Sequence, residues 1–353
     1  MKFAPLISLT ALLVLVACSS DDEPTPADTP TDVIVFGCGA QETEQVTTRS
    51  GETSLNDVGI GSFRVWAYKN DGMSGNSFIS YQTVMDSYRV WWEPTLSVSN
   101  LNYWEYVDNT QSIKYWDVSA NAYRFMAIAP ATTLHSASIT GDADKSLTIR
   151  MPVDATDEAD VPYFSELWFS TGSPVDYPDK QFKQTVRMRF IKPISYVRFM
   201  FTYEDPDDVA TTTLSGKSFK PTDGGLIAQK GDIIVSYPIT GTGIKETVTV
   251  SEAGLDGITA FTQDYYVTPA DDNACTYYTV LPATSQGTYT LRVSVNGEPK
   301  SLVVPEAYMD WLPGYEYTYI FKVRASGGVV IDNVQSAFTG WTLYERQCKV
   351  YNW

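Results

Sequence analysis

Residues that commonly carry catalysis are scarce in this chain of 353 residues. His135 is the only histidine, and the chain has no nucleophile elbow that would present a serine beside it. Gly241-Thr-Gly243 lacks the third glycine of a dinucleotide-binding loop, so it predicts a hairpin turn. We therefore expect His135 in a turn or on the surface, and we expect no enzymatic activity.

Carboxylates are grouped at residues 154–160 and 205–208, where loop oxygens could hold calcium. Neither group has the spacing of a calcium loop, which favours solvated loops, and no Cys/His spacing indicates another metal. We predict neither a metal nor a cofactor.

One cysteine stands in a context that predicts covalent chemistry. An apolar run from Leu6 to Ala17 follows Lys2, has the length of a signal-peptide core and is too short to cross a bilayer. The sequence Leu15-Val16-Ala17-Cys18 resembles the lipobox of bacterial lipoproteins, which implies that the Cys18 thiol is lipidated and that residues 1–17 are removed. The alternative is an ordinary signal peptide followed by a chance cysteine.

Residues 19–32 are polar, acidic and rich in proline, so they predict a mobile tether. The acidic residues directly after Cys18 resemble the export tag that directs lipoproteins of some Gram-negative anaerobes to the outer face of the outer membrane. That resemblance predicts a surface-exposed, lipid-anchored protein. The alternative is a solvated linker that carries no export signal.

The formal net charge of −17 argues against nucleic acid and anionic lipid as partners, because both would be repelled. Beyond Cys18 the chain has Cys38, Cys275 and Cys348. Removal of the segment carrying Cys38 would leave Cys275 and Cys348, which are a candidate disulfide in an oxidising compartment. Two buried free thiols remain the alternative.

Adjacent aromatic residues occur at Trp91-Trp92, Tyr103-Trp104 and Tyr115-Trp116. Neighbouring residues on a strand point to opposite faces, so at most one ring of each pair need be buried. Exposed rings suit stacking against sugars, which makes a glycan-binding surface lipoprotein the alternative function.

Period-two alternation bounded by Gly, Pro, Asn and Asp recurs along the chain and predicts an all-β protein. The clearest strand is Tyr315–Val323, and Leu291–Val295 followed by Asn296-Gly297 and Leu302–Val304 predicts a tight hairpin. A Pro-, Asp- and Ser-rich stretch around residue 178 indicates a boundary between two antiparallel β-sandwiches, at 50–178 and 179–353. Residues 18–49 then hold the tether and a short apolar strand, Val33–Phe36.

The combined pattern resembles the fimbrillin (Mfa-like) family of type V pilus subunits. One segment departs from it, because Arg189–Pro193 stands where family members often carry Phe-x-His. The residues that carry the resemblance are Thr47–Ser50, Phe63–Lys69, Tyr115-Trp116, Tyr123–Pro130, Leu312–Tyr319 and Trp341.

This resemblance implies two transthyretin-like β-sandwiches and a lipidated precursor that a trypsin-like protease cuts after an arginine. Cleavage between Arg49 and Ser50 would remove the strand, the tether and the lipid together, and the alternative is that Arg49 is a chance arginine in a linker. A strand from the next subunit would fill the vacated groove by β-augmentation, and the candidate is the C-terminal stretch ending Lys349–Trp353. The alternative is that this stretch is an ordinary edge strand. The resulting fibre would be structural or adhesive, with a host glycan or protein as its possible receptor.

Overall fold

The computed structural model describes residues 32–38, 60–74, 77–93, 104–132, 135–142, 144–171, 182–205, 207–208, 211–240, 249–262, 266–267, 277–282 and 287–338. Within these ranges the regular elements are β-strands and short 3-10 turns such as Glu158–Asp160. The prediction of an all-β chain is therefore confirmed. No helix in this part of the chain is long and apolar enough to cross a membrane.

The strands are numbered along the chain. They are β1 Phe36–Cys38, β2 Ser62–Ser74, β3 Ser77–Trp92, β4 Trp104–Glu105, β5 Ala122–Ala129, β6 Ser136–Thr140, β7 Ser146–Asp154, β8 Tyr163–Ser165, β9 Trp168–Thr171, β10 Val186–Met188, β11 Phe190–Ile191, β12 Ser195–Tyr203, β13 Leu214–Pro221, β14 Ile227–Pro238, β15 Thr249–Ile258, β16 Tyr266–Val267, β17 Tyr278–Val280, β18 Tyr289–Val295, β19 Glu298–Val304, β20 Tyr315–Val323 and β21 Val329–Phe338.

A seven-stranded sheet is the central layer of the N-terminal part, in the order β11-β8-β5-β2-β3-β4 with β9 also paired to β5. Every residue of β5 is buried. Tyr123 and Phe125 belong to the core on one face of this sheet, and Met126 and Ile128 belong to the core on the other. The alternation along β5 therefore fills two separate cores.

One face of the central sheet is covered by a four-stranded sheet in the order β15-β14-β7-β6. β7 pairs antiparallel with β14 from Ser146 opposite Pro238 to Asp154 opposite Lys230. These two strands come from opposite sides of residue 178, which itself lies outside the described residues. The division of the chain at residue 178 stays a prediction.

The C-terminal sandwich packs a five-stranded sheet, containing β12, β16, β17, β20 and β21, against the three-stranded sheet β13-β18-β19. Tyr317, Tyr319, Phe321 and Val323 of β20 are buried between them, as the alternation predicts. β12 and β20 pair in parallel. Parallel neighbours need a long crossover, which the strands between them in the sequence supply.

The predicted hairpin is formed by β18 and β19, with Val295 opposite Glu298. Asn296 and Gly297 have φ angles of 50° and 86°, the left-handed conformation that a two-residue hairpin turn needs. Pro299 lies within β19, and an edge strand tolerates its missing N–H group.

Candidate functional site: the segment of residues 32–38 and its groove

Residues 32–38 lie between two stretches of chain and are hydrogen-bonded to both. On one side the amide of Ile34 donates to the carbonyl of Lys114 at 2.9 Å, and the amide of Trp116 donates to the carbonyl of Asp32 at 2.6 Å. Val33 and Tyr115 form the corresponding antiparallel bridge.

On the other side of the segment lies β10. The amide of Val186 donates to the carbonyl of Val35 at 2.8 Å, and β1 then pairs in parallel with β10. The sequence pattern predicts a strand over Val33–Phe36, whereas the regular strand begins at Phe36 and the preceding residues make single bridges. The difference arises because the partner changes along the segment, from Lys114–Trp116 to β10.

Side chains of the segment alternate between the core and the surface. Ile34 and Phe36 are 0% exposed, whereas Val33 and Val35 are half-buried. The Phe36 ring meets Phe63, Tyr106 and Phe125 edge-on, with centroid separations of 6.0, 5.6 and 6.0 Å. The segment therefore supplies the middle of an aromatic core.

Two further contacts fix the segment in its groove. Gly37 is buried, and a Cβ atom at this position would lie 3.1 Å from Cγ2 of Thr185, so the close approach to β10 favours glycine. Asp32 pairs with Lys183, with 2.6 Å between Oδ1 and Nζ. Both side chains of this ion pair are exposed, so it contributes little to stability.

The wall of the groove opposite β10 is the segment of residues 106–120, which is extensively hydrogen-bonded. Gln111 Nε2 donates to the carbonyls of Tyr106 and Arg89, at 2.6 and 2.9 Å. Asp108 accepts bonds from the Thr110 hydroxyl and from the amides of Thr110 and Gln111, and the hydroxyl bond is the first cause of a lowered pKa of this carboxyl. Burial raises the pKa of Tyr106 to about 12.

A second capped turn ends this wall. Asp117 Oδ2 lies 2.6 Å from Nζ of Lys69 on β2, and Oδ1 accepts bonds from the amide and hydroxyl of Ser119. The bond from Lys69, followed by those from Ser119, lowers the pKa of Asp117 to about 2. The wall is thus tied to the central sheet.

Several predicted site residues lie outside the described part of the chain. These are Cys18, Arg49, Ser50, Cys275 and Cys348, together with the candidate donor residues Lys349–Trp353. The lipidation, the cleavage and the disulfide stay predictions.

His135 and the acidic stretches have structural contacts. The His135 ring packs edge-on against Trp66 at 5.5 Å. Asp154 pairs with Lys230 at 2.8 Å, and hydrogen bonds from Lys230 and then Thr156 lower its pKa to about 2. Among the described residues no group of three or more His, Cys, Asp or Glu side chains could hold a metal ion.

The aromatic pairs are divided between core and surface. Trp104 and Trp116 are 2% and 5% exposed, and both belong to the core that contains Phe36. Tyr115 is 55% exposed, and Trp91 is half-buried with the guanidinium of Arg89 5.9 Å from its ring centroid. Stacking of a sugar on Trp104 or Trp116, as the alternative function requires, is therefore excluded by burial in this state of the chain.

Sequence reasoning identified the apolar segment but not its neighbours. Nothing in the patterns around Lys114 or Val186 indicates that these residues flank it. The one available signal was the short apolar run Val33–Phe36 within an otherwise polar region, which indicates that the segment has apolar side chains to bury.

The chain matches the family model described as fimbrillin-like over residues 53–341, which is most of its length. The chain belongs to the fimbrillin-like family. A comparison with curated proteins found no match. The segment of residues 32–38 precedes the matched range, although this fimbrillin-like protein buries the segment in the core of the matched part.

Solved structures similar to this fimbrillin-like chain include a fimbrial protein from Bacteroides vulgatus, with 14% identity and a TM-score of 0.41 over 88% of this chain and 100% of that one. A protein described as a candidate cell adhesion protein from Bacteroides uniformis has 14% identity and a TM-score of 0.39 over 88% and 99% of the two chains. Another with that description, from Parabacteroides distasonis, has 9% identity and a TM-score of 0.36 over 90% and 100%.

Proposed function

We propose that the chain is the lipidated precursor of a pilus subunit, and that proteolysis after Arg49 converts it into a form that polymerises by strand exchange. The observation that carries the proposal is the segment of residues 32–38. It has two fully buried side chains and backbone bonds to both walls of its groove, yet it precedes the part of the chain that matches the family. Membership of the fimbrillin-like family supports a fimbrial or adhesive role at the cell surface.

The distribution of basic residues supports Arg49 as the cleavage site. Arg49 is the only lysine or arginine between Lys2 and Arg64. Arg64 is a residue of β2, and its guanidinium donates to the carbonyls of Ala131 and Ser87 at 2.9 and 3.1 Å. Arg49 is therefore the only position at which a protease that cuts after a basic residue can release residues 32–38 and leave β2 intact.

Release of the segment would leave an unstable groove. The amides of Trp116 and Val186 and the carbonyl of Lys114 would lose their partners, at about 1–3 kcal/mol for each group that stays buried. Loss of the buried Phe36 side chain would remove a further 1.5–3 kcal/mol or so of burial free energy. A replacement strand of similar pattern would restore both contributions.

In the proposed assembly that strand comes from the C-terminal stretch of another subunit, ending Lys349–Trp353. The contact joins two different surfaces, so repetition is head-to-tail and gives an open fibre. Lipid on Cys18 holds the precursor at the outer membrane until cleavage, and Cys275 and Cys348 are proposed to pair once Cys38 has left with the segment. The receptor of the fibre, a glycan or a protein, stays a prediction.

Replacement of Arg49 by alanine tests the proposal in cells that assemble the fibre. The variant should accumulate as lipidated precursor that begins at Cys18, without polymer, whereas the unchanged protein should begin at Ser50. A matched rescue variant, Arg49→Ala with Gln45→Arg, restores a basic residue within the same connection. It should be cut after residue 45 and polymerise again.

Two results would reject the proposal. Fibres of normal length from the Arg49→Ala chain would show that cleavage there is not needed. Unchanged protein that starts at Cys18 when recovered from the surface would instead favour an uncleaved surface lipoprotein.

A further inference from the structure

Exposed apolar side chains are concentrated in one wall of the groove. Seven large hydrophobic residues are exposed within the described part of the chain, and four of them lie between residues 107 and 118. They are Val107, Ile113, Tyr115 and Val118, which are 40%, 40%, 55% and 68% exposed. Single exposed apolar residues are ordinary, but four of them within one stretch of twelve residues make this stretch a candidate interaction surface. We name these four residues the apolar loop.

The apolar loop is held in a fixed conformation. The Tyr106 hydroxyl accepts from the Lys114 amide at 3.0 Å and donates to the Lys114 carbonyl at 3.3 Å, which ties together the residues that flank the stretch from Val107 to Ile113. The ion pair of Asp117 with Lys69 fixes the turn that carries Val118. A preordered surface loses little conformational entropy on binding.

The same loop lines the groove directly. Tyr115 forms the bridge with Val33, and the next residue, Trp116, is buried in the core beneath the segment. Tyr115 therefore faces solvent at the rim of the groove. A chain that enters the groove must pass beside it.

The chain also contains a complementary apolar residue beside the point where its C-terminal stretch begins. Phe338 is the last residue of β21 and pairs with Tyr315, whose amide donates to the carbonyl of Leu312 at 3.2 Å. Leu312 is 42% exposed. Two hydrogen bonds hold the backbone of Leu312 in place. Its amide donates to the Tyr317 hydroxyl at 2.8 Å, and its carbonyl accepts from the Ser195 hydroxyl at 2.8 Å.

Chain length sets how far apart two such surfaces can lie. Residues 339–353 would span about 50 Å if fully extended. A stretch as long as residues 32–38 is needed to fill the groove. About eight residues, which span at most about 27 Å, are then left to connect β21 of the donating copy to the groove of the receiving copy. The body that donates the strand must therefore lie near the rim of the groove.

We propose that the apolar loop of one copy packs against the surface around Leu312 of a second copy, the copy whose C-terminal strand fills the groove. This inference rests on the proposed function and names the body-to-body contact that accompanies strand exchange. The tether of the same chain is a poor occupant, because residues 19–32 contain no large apolar side chain and leave with the cleaved segment.

A charge-swap experiment on the full chain tests the contact. Purified precursors are cut with an arginine-specific protease, and polymer is measured by sedimentation and electron microscopy. Val118→Glu and Leu312→Lys should each be cut normally and melt as the unchanged protein does, but yield at least ten-fold less polymer. The double variant Val118→Glu with Leu312→Lys should recover most of the yield, because each junction then joins opposite charges.

Ile139→Glu is the matched control, because Ile139 has the same 42% exposure as Leu312 but lies on β6 of the four-stranded sheet. It should polymerise normally. Polymer from Val118→Glu at the level of the unchanged protein overturns the inference, and so does a double variant that yields no more than either single one. If the unchanged protein is cut and forms no polymer, the proposed function itself fails, and this inference fails with it.

Discussion

The amide of Val186 lies 2.8 Å from the carbonyl oxygen of Val35, to which it donates a hydrogen bond. This bond joins the segment of residues 32–38 to a strand beyond the middle of the chain, and on its other side the segment is bonded to Lys114 and Trp116. The segment of residues 32–38 is therefore an internal part of the sandwich, although it is joined to the following strand only through residues 39–61. Its removal would open the core without cutting any other described strand.

Replacement of Phe36 by alanine should destabilise the precursor strongly. The side chain is 0% exposed among aromatic rings, so its loss should lower the free energy of unfolding of the N-terminal part by about 3–5 kcal/mol. Urea unfolding followed by tryptophan fluorescence measures this change.

Val35→Ala is the control for the same segment, because Val35 is half-buried and keeps its backbone bond. Its effect should stay below about 1 kcal/mol. Equal effects of the two substitutions would mean that Phe36 does not pack in the core. In the cleaved, polymerised form neither substitution should matter, because both residues have been removed.

Trp104 and Trp116 should behave as core residues when they are replaced. Trp104→Ala and Trp116→Ala should each lower the free energy of unfolding by about 3–5 kcal/mol, because both rings are buried. Trp91→Ala should change it by less than about 1 kcal/mol, because this ring is half-buried and lies outside the three cores. Sugar binding by the three variants tests the alternative function. Stacking is excluded at all three positions if Trp91→Ala binds sugar as the unchanged protein does, and if Trp104→Ala and Trp116→Ala lose binding only where they unfold.

The ion pair of Asp117 with Lys69 should make stability depend on pH at the acid end. The folded pKa of Asp117 is about 2 and the ordinary value is 3.8, so the ionised carboxylate favours the folded state. This stabilisation is complete above about pH 5 and is lost as the pH falls through 4 towards 2. The difference in unfolding free energy between the unchanged protein and Asp117→Asn should therefore shrink between pH 6 and pH 2.

Asp142→Asn provides the comparison for that titration. Asp142 is fully exposed, and its Oδ1 lies 3.9 Å from Nζ of Lys145, so its replacement should have no measurable effect at any of these pH values. A difference for Asp117→Asn that stays constant from pH 6 to pH 2 would contradict the role assigned to the ion pair.

A protease site inserted at residue 178 tests how the two parts of the chain are held together. β7 and β14 pair across this position along their whole common length, and the Tyr237 hydroxyl donates to the carbonyl of Ser165 at 2.8 Å. The cut chain should therefore elute as one body in native gel filtration and separate only in denaturant. Separation of the halves under native conditions would show that these strand contacts do not hold them.

Local patterns were sufficient for several elements. Asn296-Gly297 predicted its hairpin because few residues adopt the left-handed conformation that the turn needs, and β20 spans the residues that alternate between apolar and polar. Burial of Trp104 and Trp116 was not predictable, because alternation shows only that adjacent rings face opposite ways and not which side of the strand will be covered.

The sequence by itself determined that this chain is built from β-strands, that Val33–Phe36 has an apolar face, and that Arg49 is the basic residue between that segment and β2. Only the tertiary structure decided that Ile34 and Phe36 are buried between Lys114–Trp116 and β10, and that Tyr115 lies at the rim. The physical reason is that strand propensity and alternation depend on near neighbours in sequence. Strand pairing depends on backbone groups that distant segments leave open, and those are defined only when the sheets have packed.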